Sequence, residues 1–453
     1  MKTGTVAALA AALGLANGCL MDSELEAERE FVRTGKRSEI HAMPHPRQAT
    51  TTFPIGEGDR FKRGCKVPKG LGLNDRDLGS ILNVGEVETA LKGLKKGFPD
   101  EVELFEPPFE TFEGRKFFGA KVGEDPRVFI MSGIHARERG GPDNVIYFLA
   151  DLLEARKTGS GVTYGGKSYT AEQVETALSA GVIILPNTNP DGAAHDQSTS
   201  SCWRKNRNPT SSSGTGSGRD VGIDLNRNYD FIWDYTTHFH PDTSPASNNP
   251  GSETFYGTEP ESEPETKAVV WTLDQYQNIT WFMDLHSYGP SILYAWGDDE
   301  AQTIDPNQNF VNPEFDGKRG LVGAPDPPEA EYQEYFLAED LTTEEDVTGS
   351  MIDAMLTAGG APYTAYPAVG LYPTSGASND YAMGRYYGNL TCGSSRMFGL
   401  TMEFGAPSRS FPSCPFYPNK DEYHRNVRQV GAGFLEMMLL AAGKAGDPLY
   451  AEC

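Results

Sequence analysis

Apolar positions along the chain recur with two periods, and the switches between them mark out the elements. Val87 to Leu94 repeats as one face of a helix does, whereas Phe117 to Val122 and Val128 to Ser132 read as strands. The second strand is almost wholly apolar, as expected when both of its faces are buried. A Gly-rich turn follows, and Pro142 then takes a first helical position. Val145, Phe148, Leu149, Leu152 and Leu153 form the apolar face of that helix, which continues through Arg156. Val182 to Leu185, Ile279 to Leu285 and Phe398 to Phe404 are further buried strands. Glu261, Glu263 and Glu265 crowd the start of a helix running towards Gln277, where acids suit the positive end of its dipole. A late helix runs from about Arg425 to Ala442. Strands alternating with helices predict an α/β fold, a mixed, mostly parallel central sheet with helices on both faces.

The ends of the chain follow different rules. Lys2, the apolar stretch Val6 to Ala16 and the small-x-small site Ala16-Asn17-Gly18 make residues 1–18 a signal peptide, so export is expected. Residues 19–77 show no steady period at their start and are expected to be a pro-segment or flexible lead. Within them, Arg60-Phe61-Lys62-Arg63 is either a processing site, cut after Arg63, or a solvated charge cluster. Residues 78–453 are expected to form one domain. In it, the stretch from Asp298 to Glu339, rich in Asp, Glu and Pro, reads as an acidic surface insertion near 298–340.

Charge narrows the partners. A net charge of −24 over 453 residues argues against nucleic acid, whose phosphates demand a basic surface, and against anionic membranes. No apolar run is long enough to span a bilayer, and a monomer is expected. Export permits disulfides among the six cysteines, and Cys392–Cys414, flanking one strand-and-loop unit, is the expected pair. Asn278-Ile279-Thr280 and Asn389-Leu390-Thr391 are glycosylation sequons.

Candidate chemistry collects at strand ends, where α/β sheets place functional groups. His135 follows Val128–Ser132, His286 follows Ile279–Leu285, and Glu403 closes the strand beginning at Phe398. With Glu138, the two histidines make a His₂Glu set that leaves one position open, the ligand count of a catalytic zinc rather than a structural one. Cys202-Trp203-Arg204-Lys205-Asn206-Arg207 is a basic run in an acidic chain. Asp224-Leu225-Asn226-Arg227-Asn228 sets Asp, Asn and Arg close together, and an arginine's planar fork suits a carboxylate.

These residues resemble, in order, the motifs of the zinc metallocarboxypeptidases of the pancreatic carboxypeptidase A and B type. The resemblance runs from about Asn83 to Gly443. It rests on Thr111-Phe112-Glu113-Gly114-Arg115, His135-Ala136-Arg137-Glu138, Asn189-Pro190-Asp191-Gly192, Trp203-Arg204-Lys205, Asp224 to Asn228, His286-Ser287-Tyr288, Leu371-Tyr372 and Thr401-Met402-Glu403. It implies a carboxypeptidase-like fold and one Zn²⁺ per chain held by His135, Glu138 and His286. Glu403 would be the general base and Arg204 the oxyanion stabiliser. Asn226 and Arg227 would hold the substrate's terminal carboxylate under Tyr372, Asp224 would orient His135, and Arg137 and Tyr288 would line inner subsites. The implied partners are peptides and proteins with a free C-terminus. Asn379 falls where the family sets side-chain preference; with Leu293, Thr374 and Thr401 it implies a neutral pocket for apolar or mixed side chains. Two alternatives share the fold: an amidase acting on peptidoglycan peptides, which would not need Asn226, Arg227 and Tyr372 together, and a binding relative that has lost catalysis.

Overall fold

Pairing among the buried apolar runs builds an eight-stranded sheet. The computed structural model describes residues 20–34, 52–211, 218–322, 332–388, 393–443 and 449–451. The strands are β1 (Val102–Phe105), β2 (Gly119–Val122), β3 (Val128–Ser132), β4 (Val182–Leu185), β5 (Trp281–His286), β6 (Ser291–Tyr294), β7 (Thr364–Pro367) and β8 (Phe398–Glu403). They lie in the order β1-β2-β4-β3-β5-β8-β6-β7. The central four, β4, β3, β5 and β8, are parallel, and the antiparallel pairings fall towards the edges. The mixed, mostly parallel sheet expected from the sequence is present.

Helices cover both faces. In chain order they are α1 (Asp22–Thr34), α2 (Val84–Gly97), α3 (Gly141–Thr158), α4 (Ala171–Ser179), α5 (Pro190–Thr199), α6 (Pro264–Gln275), α7 (Ala338–Gly359), α8 (Ser378–Tyr387) and α9 (Lys420–Gly443). Because strand side chains alternate, the sheet splits its apolar residues between two cores. Val128, Ile130, Val182, Ile184, Met283, Leu400 and Met402 enter a larger core with residues of α2, α3, α4, α7 and α9. Phe129, Met131, Ile183, Leu185 and Phe282 enter a second with residues of α6 and α8. The same alternation puts Asp284 and His286 on the face of Phe282, the side of the second core.

Three segments pack in ways that bear on the sequence expectations. First, Cys414 is bonded not to Cys392 but to Cys202, 212 positions away, with a Cα–Cα distance of 5.7 Å. The fold lays the segment before α9 across the segment after α5: the Tyr417 hydroxyl accepts from the Cys202 N–H at 2.9 Å and donates to Asp196 at 2.5 Å. Second, residues 52–77 of the lead pack on the body. Phe53 and Leu71 are buried with Tyr423 and Val427 of α9. Arg60 is half-buried: Glu86, which also completes the capping box of α2, takes its guanidinium at 2.8 Å, and the carbonyls of Leu78, Ser80 and Ile81 accept further N–H groups, whereas Lys62 and Arg63, where the cut was expected, are exposed. Phe61 beside it is buried. Third, the acidic stretch is not simply a surface insertion. Phe310 and Phe336 belong to the second core, packed on Trp296, and buried Arg319 offsets buried Asp298 and Glu334.

The signal peptide, Cys19, Cys392, Cys453 and the sequon at Asn389 lie outside the described residues. Among those described, no helix is long and apolar enough to cross a membrane.

Candidate metal centre and substrate cleft

Beyond β3 the chain turns out of the sheet at Gly133, whose φ of 72° is readily adopted only without a side chain. The short turn before α3 carries His135 and Glu138, held in place where the Ala136 N–H donates to the Arg204 carbonyl at 3.0 Å. His286 is the last residue of β5. Ligand atoms of His135, Glu138 and His286 lie within 4.8 Å of one another, and all three residues are buried. Nδ1 of His135 is 2.7 Å from Glu138 Oε1 and 3.1 Å from Nδ1 of His286, which is itself 3.2 Å from Glu138 Oε2.

The outer nitrogen of each ring faces a carboxylate. Nε2 of His135 lies 3.0 Å from Asp224, and Nε2 of His286 lies 2.8 Å from Asp284. An ionised carboxylate only accepts hydrogen bonds, so the proton sits on each Nε2 and the Nδ1 lone pairs converge on Glu138. Burial, and then the Arg204 guanidinium, hold the His135 imidazole below its ordinary range and favour the neutral ligating form. Two lone pairs and a carboxylate crowded into a dry site are stabilised by a cation, and the donors suit zinc.

Asp224 was expected from the sequence and Asp284 was not. Asp284 is steadied by the Ser378 hydroxyl at 2.6 Å. Its signal was present as an acid two positions before His286, hence on the same strand face. Asp224 also takes Arg204 at 2.8 Å, so Arg204 is buried beside His135. Burial alone would raise the Asp224 carboxyl; Arg204 and then His135 drive it far below its ordinary range.

Asp224 begins the tight turn Leu225–Arg227 and accepts the Asn226 N–H within it. The Asn226 side-chain oxygen accepts from the Ser378 N–H at 2.8 Å, linking this turn to the start of α8. Arg227 is buried and donates to the carbonyls of Pro245 and Asn226, each at 2.7 Å. It has no carboxylate partner among the described residues. The half-buried Tyr372 ring stands 5.8 Å from its guanidinium. Asn379, next to Ser378 on α8, is buried and donates to Asp380 at 3.0 Å.

Glu403 is buried at the end of β8, directly across the ladder from His286. Tyr288 and Arg137 form a wall: the Phe416 ring packs 4.7 Å from Tyr288 and 4.3 Å from the Arg137 guanidinium. Glu24 of the lead, which sequence reasoning did not find, pairs with Arg137.

A family model described as zinc carboxypeptidase matches residues 87–427, most of the chain. The chain belongs to the zinc carboxypeptidase family. Carboxypeptidase A4 of Mus musculus is 29% identical over 283 residues, 60% of this chain and 52% of that protein. Carboxypeptidase B of Astacus astacus is 30% identical over 226 residues, 49% of this chain and 66% of that protein. The chain spans about half the length, or less, of the first curated carboxypeptidases it matches. The crystal structure of carboxypeptidase A from Helicoverpa armigera superposes with a TM-score of 0.57 at 23% identity, covering 81% of this chain and 75% of that one. That likeness concerns the carboxypeptidase fold.

Proposed function

We propose that the protein is a secreted zinc exopeptidase that removes the C-terminal residue from peptides and proteins ending in a free carboxylate. Arg227 carries this reading: a buried guanidinium whose acceptors among the described residues are carbonyls, on the turn whose first residue orients His135. Its rigid fork suits bidentate capture of a terminal carboxylate. Asn226 adds a side-chain amide beside it, and Tyr372 closes over the bound end. Fixing the carboxylate at one distance from the metal confines cleavage to the last bond.

His135, Glu138 and His286 would hold a zinc ion, which would supply acidification of water towards ~7 and polarisation of a carbonyl. Glu403 takes the proton of the attacking water and returns it to the leaving amine. Arg204, steadied by Asp224, faces the oxygen that gains charge as the carbonyl becomes tetrahedral. Arg137 and Tyr288 line the inner subsites. Asn379, with Leu293, Thr374 and Thr401, offers uncharged groups suited to apolar or mixed side chains. An amidase of peptidoglycan peptides would have no use for the Arg227 arrangement.

The test is release of the last residue from blocked dipeptides, supplied as free acids and as C-terminal amides, before and after chelation. Free acids should be preferred over amides by at least ~100-fold, since the amides leave Arg227 buried without its anion. Activity should vanish with chelator and return with zinc. Amides cut as fast as acids would refute the reading.

A further inference from the structure

The glycines of Lys69-Gly70-Leu71-Gly72 let this part of the chain lie close against α3. Asp151 of that helix accepts the Gly70 N–H at 3.0 Å, the Gly72 N–H at 2.7 Å and the Tyr164 hydroxyl at 3.4 Å. A side chain at either glycine would run into the same carboxylate. Beside this pin the two segments enclose a cavity of about 320 Å³, with apolar walls that include Val67 and Leu73 and with charge from Lys69, Arg76 and Glu154. Arg76 is near enough to act on Asp151 electrostatically, yet its half-buried guanidinium has an Nε sealed from solvent and without a hydrogen-bond partner. Neither Lys69, Arg76 nor Glu154 joins an ion pair among the described residues. A buried donor without an acceptor is costly, and a ligand that brings a carboxylate removes that cost. At 1.5 Å per residue, Asp151 and Glu154 stand about 15–20 Å along α3 from the helix start beside Glu138, so the cavity is separate from the metal centre.

We propose that this cavity is a second ligand site, for a free amino acid with an apolar side chain. Arg76 and Lys69 take its α-carboxylate, Glu154 takes its α-ammonium, and Val67 and Leu73 receive the side chain. Asp151 already has three donors and serves as the pin that shapes the site. A few polar groups set into apolar walls fix the orientation of a small molecule, and opposite charges at the two ends select one that carries both. In the exopeptidase reading the same class of molecule is the product, but the site stands without that reading.

Calorimetric titration of the zinc-loaded full chain tests this without turnover. L-leucine should bind with a Kd of about 1 mM or tighter. N-acetyl-L-leucine and L-leucinamide each lack one of the two charges and should bind at least ~10-fold more weakly. Binding of L-leucine should persist in Arg227→Ala, whose cleft has lost its guanidinium, and should weaken at least ~10-fold in Arg76→Ala and in Glu154→Gln. Should Arg76→Ala fail to fold, Glu154→Gln and the two analogues still decide. Binding that disappears in Arg227→Ala would place the amino acid in the cleft and overturn the second site. Equal binding of either analogue, unchanged binding in Glu154→Gln, or no binding at all would overturn it as well. A chain that binds L-leucine as expected yet hydrolyses no peptide overturns the exopeptidase reading and leaves this site standing.

Discussion

Asp284 and Asp224 each hold one imidazole by its outer nitrogen, at 2.8 Å and 3.0 Å, so each sets the angle at which a lone pair meets the metal. Carboxylates in this position typically contribute 10- to 100-fold, as an order of magnitude, to metal affinity. Asp284→Asn should therefore weaken zinc binding by about 10- to 100-fold in competition with a chelator; unchanged affinity would show that the ring is oriented by packing alone. Glu403→Gln separates the proposed base from the metal. It should retain stoichiometric zinc and the parent's melting temperature while kcat falls by about 10²- to 10⁴-fold. Near-parental turnover in that variant would remove Glu403 from the reaction. Ligand types and their order were legible in the sequence because strand ends collect polar groups and the zinc set needs few residue types. Asp284 was overlooked because a lone acid inside an apolar run has no motif of its own; only its shared face with His286 reveals it.

At the scale of elements, the periodic segments were readable and the ones fixed by distant contacts were not. Val128–Ser132 and Val182–Leu185 form as expected, since an all-apolar run has nowhere to go but a sheet interior. α7 went unrecognised although Val347, Met351, Ala354, Met355 and Ala358 line one buried face, because its first turns hold the acids that made the preceding stretch look solvent-bound. The cysteine pairing and the anchoring of Arg60 depend on segments that meet only after folding, which local spacing does not encode. The meeting of α9 with the α3 side offers a test of how tightly elements are fitted. A Cβ at Gly431 would lie 2.8 Å from the Tyr164 ring, and that ring is hemmed on its other contact by Gly72, where a Cβ would lie 2.9 Å away. Gly431→Ala gains about 1 kcal/mol of helix propensity. Overpacking against a ring that cannot retreat costs about 1–3 kcal/mol. The clash should win, and thermal melting should show a lower midpoint; a raised midpoint would mean the ring yields.

Over the whole molecule, the surplus of acid is not confined to the surface. Burial, and then neighbouring Glu263, push the Glu265 carboxyl up to about 8; burial raises Asp151 to about 7; burial, and then Asp298, raise Asp299 to about 7. Folded-state values above the unfolded ones mean that their contribution to stability is complete below about pH 4 and is lost as pH rises through about 7 to 8. Glu265→Gln, which cannot ionise, should thus raise the melting temperature by a few degrees at pH 8.5 and by much less at pH 5; a pH-independent difference would show that Glu265 is not neutral in the fold. The sheet register has a consequence of another kind. Glu403 and His286 occupy one rung of the β8–β5 ladder, so the spacing of the proposed base and ligand is written in a strand's reading frame rather than in either side chain. Adding or deleting a single residue within Phe398–Glu403 would leave the hydrogen-bond ladder able to re-form. It would also turn Met402 or Phe404 towards the zinc and Glu403 into hydrocarbon. In this strand chemistry can tolerate substitutions of many kinds, but not a change of length.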